Sequence, residues 1–300
     1  MGIATSGAGM GGLVYNLVAG KLVRVMGWRT TYRVLAGCAV LVNLMAGLSL
    51  KERNKKGGAE ERRLAEGQKR KRVFNLRDFG RVEVLLVVFW GFVTELGYIA
   101  LLYSLPNYAT SIGLSPAQGS VVGALLNLGL GVGRPVVGYF SDRFGRINVA
   151  MGGTLLCGVL CLAIWIPAHS YAVLIVFALT AGTVCGIFWS TIVPVLAEVV
   201  GLKDFGTMFG AILFALVVPT TFAEGVAILL VKGSGIGAYL TSQIFVGIMF
   251  IIGAASLWIL RAWKIGEVER MMESEQLNDV SQRTEKDWLT SKRLFVRKRV

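Results

Sequence analysis

Residues 84–105 read VLLVVFWGFVTELGYIALLYSL, twenty-two residues with one charged side chain, Glu95. A helix needs about 20 predominantly apolar residues to cross a bilayer. Apolar residues on every side of a helix require either the core of a large protein or lipid. Outward from this run the pattern repeats. Between residues 82 and 141 only Glu83, Glu95 and Arg134 carry charge. From 147 to 202 there is only Glu198, with the lone His169 beside it, and from 205 to 260 only Glu224 and Lys232. Residues 1–20 and 34–50 carry none. Of the whole chain 54% is hydrophobic and 16% charged, whereas soluble domains carry about 25% charged residues. The pattern predicts an all-α integral membrane protein of about eight transmembrane helices, at roughly 2–20, 31–50, 84–105, 117–140, 147–167, 171–197, 206–231 and 238–260.

Turn chemistry separates the runs: Leu105-Pro106-Asn107, Gly113-Leu114-Ser115-Pro116, Pro167-Ala168-His169-Ser170 and Gly233-Ser234-Gly235. Lysine and arginine set the expected orientation. Segment 51–82 holds twelve, the tail from Arg261 holds ten, and Arg143, Arg146 and Lys203 add three, which places 25 of the 31 on one face. Loops retained in the cytoplasm carry such an excess, so both termini are expected there. Lys21, Arg24, Arg29 and Arg33 fall between the first two predicted spans, on the opposite side. The expected domains are two helices over 1–50, a basic cytoplasmic loop over 51–82, a six-helix bundle over 83–262 and a basic tail over 263–300.

Other chemistries find little support. The net charge of +13 lies in loops and tail, without the aromatic-interleaved basic stripe of a nucleic-acid site. Cys38, Cys157, Cys161 and Cys185 all lie in apolar runs and read as small packing residues. One histidine with no clustered thiols predicts no metal site and no cofactor. Neither a phosphate-binding glycine loop nor a serine–histidine–acid set is present, so no enzymatic activity is expected.

The fourth predicted span ends in Gly138-Tyr139-Phe140-Ser141-Asp142-Arg143-Phe144-Gly145-Arg146. A glycine, three residues, then Asp-Arg-x-Gly-Arg at a helix–helix turn resembles the signature loop of the major facilitator superfamily. A copy of that loop lies after the second helix of a six-helix half, and here it follows the second span after the basic segment. Gly133-Arg134-Pro135, Gly27-Trp28-Arg29 and Pro219-Thr220-Thr221-Phe222-Ala223-Glu224 narrow the likeness to the fungal monocarboxylate-transporter-like branch. The resemblance covers residues 2–260 and maps the eight spans to helices five to twelve. It therefore implies a major-facilitator-type bundle lacking the first four helices. One position departs: animal members carry an Asp one turn before this arginine, where this chain has Leu130.

The candidate site follows. An arginine in an apolar helix costs at least about 2.5–3.5 kcal/mol to insert and faces a cavity or partner, and its planar fork fits a carboxylate. Arg134 is therefore the candidate anion receptor. Asn127 and the buried carboxyl Glu95 are candidate substrate-contacting neighbours. Residue counting places Arg134 and Glu95 about 9 Å apart in depth. The resemblance implies that the signature loop is a latch for the state open to the outside, which makes Gly138, Asp142, Arg143, Gly145, Arg146 and Glu198 candidate latch residues.

The resemblance implies an alternating-access secondary transporter of small organic anions, monocarboxylate-like. It would sit in a plasma or vacuolar membrane, in contact with membrane lipids. A further chain could supply the missing helices. A non-transporting membrane protein that acts through its basic segments is the alternative.

Overall fold

The computed structural model describes residues 2–49, 80–201, 204–233 and 235–276. The predicted basic loop over 51–82 lies outside them except for 80–82, and the predicted tail over 263–300 except for 263–276. The chain divides into two compact units, Met1–Leu17 with Phe79–Val300 and Val18–Asp78. The described residues are helical throughout, with short turns and no strand. The helices are α1 (Gly2–Ser49), α2 (Val82–Ser111), α3 (Pro116–Phe144), α4 (Arg146–Leu160), α5 (Tyr171–Cys185), α6 (Ile187–Val200), α7 (Phe205–Ala215), α8 (Val217–Leu229) and α9 (Leu240–Gln276).

Among the described residues these make seven spans long and apolar enough to cross a membrane. The count is seven rather than eight because α1, two helices joined at a kink, is counted once. The first two predicted spans both lie in α1, where two helices meet at a kink at Gly27, at φ 77° and ψ 163°. Within Val18–Asp78 the described residues are the helical 18–49. Their apolar side chains are mostly exposed, Val40 at 59%, Met45 at 65% and Leu48 at 84%.

The larger unit is a helix bundle. Ser115 caps α3, its hydroxyl accepting from the Gln118 N–H while the Gln118 side chain accepts from Ser115 N–H, and Pro116 stands at the first helical position. Two spans are interrupted. The sixth predicted span splits at Gly186 into α5 and α6. The seventh splits at Leu216, because Pro219 offers no N–H to the carbonyl four residues earlier. α4 ends in a π-helical segment, Cys161–Trp165. α9 continues past residue 260 to Gln276, with Arg261, Ala262, Trp263 and Ile265 buried.

Two apolar clusters fill the bundle. One gathers Leu101, Tyr108, Trp165, Phe177 and Phe250. The other gathers Trp90, Ile147, Phe188, Leu196 and Leu260. Buried polar groups bond across helices, as lipid-embedded segments require. The Trp90 indole donates to Thr154 Oγ1 (3.3 Å), Ser104 and Ser242 share a bond (3.1 Å), and the Gln243 amide donates to the Trp165 carbonyl (3.1 Å). Close packing comes from glycine. Gly119 and Gly123 of α3 receive Pro106 of α2, and Gly129 and Gly133 lie directly on the α5 backbone at Leu179, Gly182 and Thr183.

Candidate functional site

Arg134 sits ten residues before the end of α3, which puts it about 15 Å from that helix end at 1.5 Å per residue. This is deeper than residue counting from a span ending at 140 gives, because α3 continues to Phe144. The side chain is 6% exposed. Its Nη1 donates to the Thr5 carbonyl of α1 at 2.5 Å, while Nε has no hydrogen-bond partner. Space for the guanidinium comes from Gly186, where any Cβ would meet Leu130 Cδ2 and the Arg134 nitrogens.

Three further side chains from two other elements converge here. Glu95 (2% exposed) and Tyr98 lie on α2. The Tyr98 hydroxyl lies within reach of the Arg134 guanidinium, and the Glu95 carboxyl lies within reach of Trp189 on α6. Glu95 also feels the arginine's charge, although no Arg134–Glu95 ion pair within 4.0 Å forms among the described residues. The result is a buried cation whose fork is half engaged, edged by a hydroxyl, an indole and a carboxyl. Such a group can receive an anion by charge-assisted bonds to Nε and its neighbouring nitrogen.

Asn127 lies elsewhere on α3. Its amide donates to the Gly123 carbonyl (2.9 Å), and its Oδ1 fills the space that a side chain at Gly12 of α1 would need. It belongs to the α1–α3 seam, where Gly2 and Gly9 also lie on the α3 backbone. The residue that sequence reading missed is Trp189. It is one of seven tryptophans in an apolar chain, and only folding α6 against α2 singles it out.

The 142–146 turn joins α3 to α4 through Gly145, at φ 96° and ψ 137°. Positive φ at a non-glycine residue costs about 1–3 kcal/mol. Gly145→Ala is accordingly expected to lower thermal stability by about that amount, measured by heating the detergent-solubilised protein; an unchanged midpoint would contradict it. Arg143 Nη1 donates to the Tyr139 hydroxyl at 3.4 Å. Glu198, near the end of α6, is within electrostatic range of Arg146 and Lys264. Lys264 itself donates to the Glu198 carbonyl (2.8 Å) and pairs with Glu267 (2.7 Å). Gly138 faces the start of α1 at Gly2.

Comparison with known proteins decides the family. The sequence profile of the Major Facilitator Superfamily matches residues 1–121 and 87–299. The chain belongs to the major facilitator superfamily. Among curated relatives, this major facilitator chain is 32% identical over 276 residues to "Probable transporter MCH2" of Saccharomyces cerevisiae, covering 89% of the chain and 56% of the relative. It is also 32% identical over 273 residues to "Uncharacterized transporter ESBP6" of the same yeast, covering 88% and 40%. With "MFS transporter asaE" of Aspergillus flavus it shares 29% over 258 residues, covering 84% and 55%. The chain thus spans about half the length of the curated relatives it matches.

Proposed function

We propose that this chain supplies the last two-thirds of an alternating-access porter for small organic anions, monocarboxylate-like in class, with Arg134 as the anion receptor. The observation that carries the proposal is the arginine itself: 6% exposed, its Nε without a partner, in a space that Gly186 leaves open. A buried cation without a full set of partners is costly in a membrane and marks a binding or conduction role. Porters of this architecture bind near the midplane, between their two halves. The Thr5 carbonyl that holds Nη1 would be displaced, or would share the fork, when a carboxylate enters. Glu95 would carry the coupled proton, and Asn127 would contribute through the α1–α3 seam.

The 142–146 turn with Gly138 and Glu198 would act as the latch, Arg146 facing Glu198 across the ends of α3, α4 and α6. Both termini would be cytoplasmic, with 51–82 linking the halves, 83–262 forming the bundle and 263–300 the tail. The remaining helices would come from a preceding segment or a partner chain. The half-length match to relatives and the exposed apolar side chains between Val40 and Leu48 support that reading.

The test is equilibrium binding of a radiolabelled short-chain monocarboxylate to the purified chain in liposomes. Saturable binding is expected, competed by other carboxylates and not by the uncharged amide of the same acid. Competition by the amide as strong as by the acid would overturn the assignment.

A further inference from the structure

Away from Arg134, on the side of α3 turned from α1, lies an apolar groove of about 440 Å³. One wall is Val132, Val136 and Phe140 of α3, the other includes Gly152 of α4, and Thr183 and Ile187 form the floor. The α1 contacts on α3 fall at Asn127, Gly131, Arg134 and Gly138 instead, so the groove is not part of the anion site. Its volume falls within the range of small-molecule pockets, about 300–1,000 Å³. Its lining is apolar or glycine apart from Thr183, whose hydroxyl is already bonded to the Thr180 carbonyl at 2.7 Å. No group there calls for water. From Val132 to Phe144 the α3 wall runs about 18 Å, close to half the thickness of a bilayer's hydrocarbon core, about 30 Å. Both walls belong to membrane-spanning helices.

One end of the groove is charged. Phe144, the last residue of α3, lines it, and Arg143 and Arg146 flank Phe144. The Arg143 guanidinium is folded back onto the Tyr139 hydroxyl (3.4 Å), and the Tyr139 ring packs edge-on against Phe140 of the wall (5.8 Å). α4 begins at Arg146, and its N-cap residue, Gly145, has no side chain to cap its first N–H groups. Uncapped helix N-termini carry partial positive charge and bind phosphate. Asp142 is the acid in this turn, and Glu198 faces Arg146 from α6. The two acids offset the two arginines in formal charge, which leaves the guanidinium N–H groups and the start of α4 as the donors that a phosphate at this mouth would meet.

We propose that this groove binds an anionic phospholipid, one acyl chain lying between α3 and α4 and the phosphate held by Arg143, Arg146 and the start of α4. The proposal stands apart from the anion site at Arg134. It makes the loop that joins α3 to α4 a lipid-contacting element as well as a helix turn.

The test is native mass spectrometry of the full chain purified in neutral detergent, titrated with phosphatidylglycerol or with phosphatidylcholine of the same acyl chains. One retained phosphatidylglycerol is expected, in preference to phosphatidylcholine. The double variant Arg143→Ala/Arg146→Ala should reduce that preference about 25-fold, about fivefold per cation removed from the headgroup region. Gly152→Phe should abolish retention of both lipids. A Cβ at Gly152 meets nothing within 4 Å, so the ring can occupy the groove without collision; Val136→Trp, from the opposite wall, provides the same reading if that variant fails to fold. Equal retention of the two lipids by the unaltered chain, no lipid retained at all, or undiminished retention by both groove-filling variants would overturn the proposal. So would retention of glycerol phosphate as strong as that of the lipid, which would mark a site for free phosphate.

Discussion

Arg134→Leu is expected to abolish saturable anion binding while leaving the thermal midpoint of the purified protein equal to that of the unaltered chain or higher. The two halves of this expectation come from the same geometry. The arginine is buried, and its Nε meets no acceptor. Insertion of such a charge costs about 2.5–3.5 kcal/mol even on the gentlest scales. Leucine removes that cost and fills similar space beside Leu130 and Gly186. The gain is partial, because the Thr5 carbonyl loses a donor and Glu95 loses a nearby positive charge. Binding behaves differently. A bond to a charged group contributes about 1.5–3 kcal/mol, so losing a two-pronged contact should weaken affinity by more than about 100-fold. Arg134→Lys keeps the charge but not the planar fork, and should fall in between, about tenfold weaker. Titration with labelled carboxylate, read alongside melting curves of the three proteins, checks the pair of effects. A leucine variant that melts far below the unaltered chain, or one that binds within threefold of it, would mean that the arginine serves the fold and not the anion.

The membrane-spanning character was legible from residues 84–105 onward, because long charge-free runs have few other solutions. The joints between spans were less legible. Charge at Lys21, Arg24, Arg29 and Arg33 marked the joint between the first two spans, but not its form: two helices meet there at a kink at Gly27. Conversely, the breaks at Gly186 and Leu216 fall inside apolar runs where hydropathy is blind. The end of α9 was hidden for a related reason. Arg261 and Lys264 look like a helix exit, yet the Arg261 Nε reaches Asn148 Oδ1 at 2.6 Å and Lys264 reaches the Glu198 carbonyl, so the polar turn stays packed and helical.

At the site, a lone arginine in an apolar helix was readable as an unusual expense, and the Asp-Arg-x-Gly-Arg turn was readable from its letters. The relation between Glu95 and Arg134 was not. It depends on where α2 and α3 begin and end, and those boundaries shift by several residues. With α2 starting at Val82 and α3 ending at Phe144, the two residues lie about 20 and 15 Å from the same end of the bundle. The depth difference shrinks from about 9 Å to about 5 Å, close enough for each to feel the other's charge. Tyr98 lies by Arg134 and Trp189 by Glu95, and no periodicity in the sequence marks either as a partner.

The contact between α3 and α5 holds that arrangement together, and the largest structural effect is expected there. A methyl group added at Gly133 would meet the backbone of Thr183, at its Cα, carbonyl carbon and carbonyl oxygen. Backbone cannot swing aside as a side chain does, so α5 as a whole must move away from α3. The contact is reciprocal. Gly129 lies on Gly182 and the Leu179 carbonyl, and Gly182 lies on the Leu126 carbonyl. Forced separation at one point therefore opens the row. Overpacking costs about 1–3 kcal/mol where side chains can adjust, so Gly133→Ala should sit at or above the top of that range. It should also displace the adjacent Arg134 and weaken carboxylate binding at least tenfold. Gly210 of α7 provides the contrast: nothing lies within 4 Å of its would-be Cβ, and alanine there should leave stability unchanged or raise it by about 0.5–1 kcal/mol, the ordinary helix preference for alanine over glycine. The measurement is the fraction remaining monodisperse after a heating series, followed by size-exclusion chromatography in detergent. Parallel behaviour of Gly133→Ala and Gly210→Ala would mean that the α3–α5 backbone contact is not what fixes the bundle, and the position of Arg134 would need another explanation.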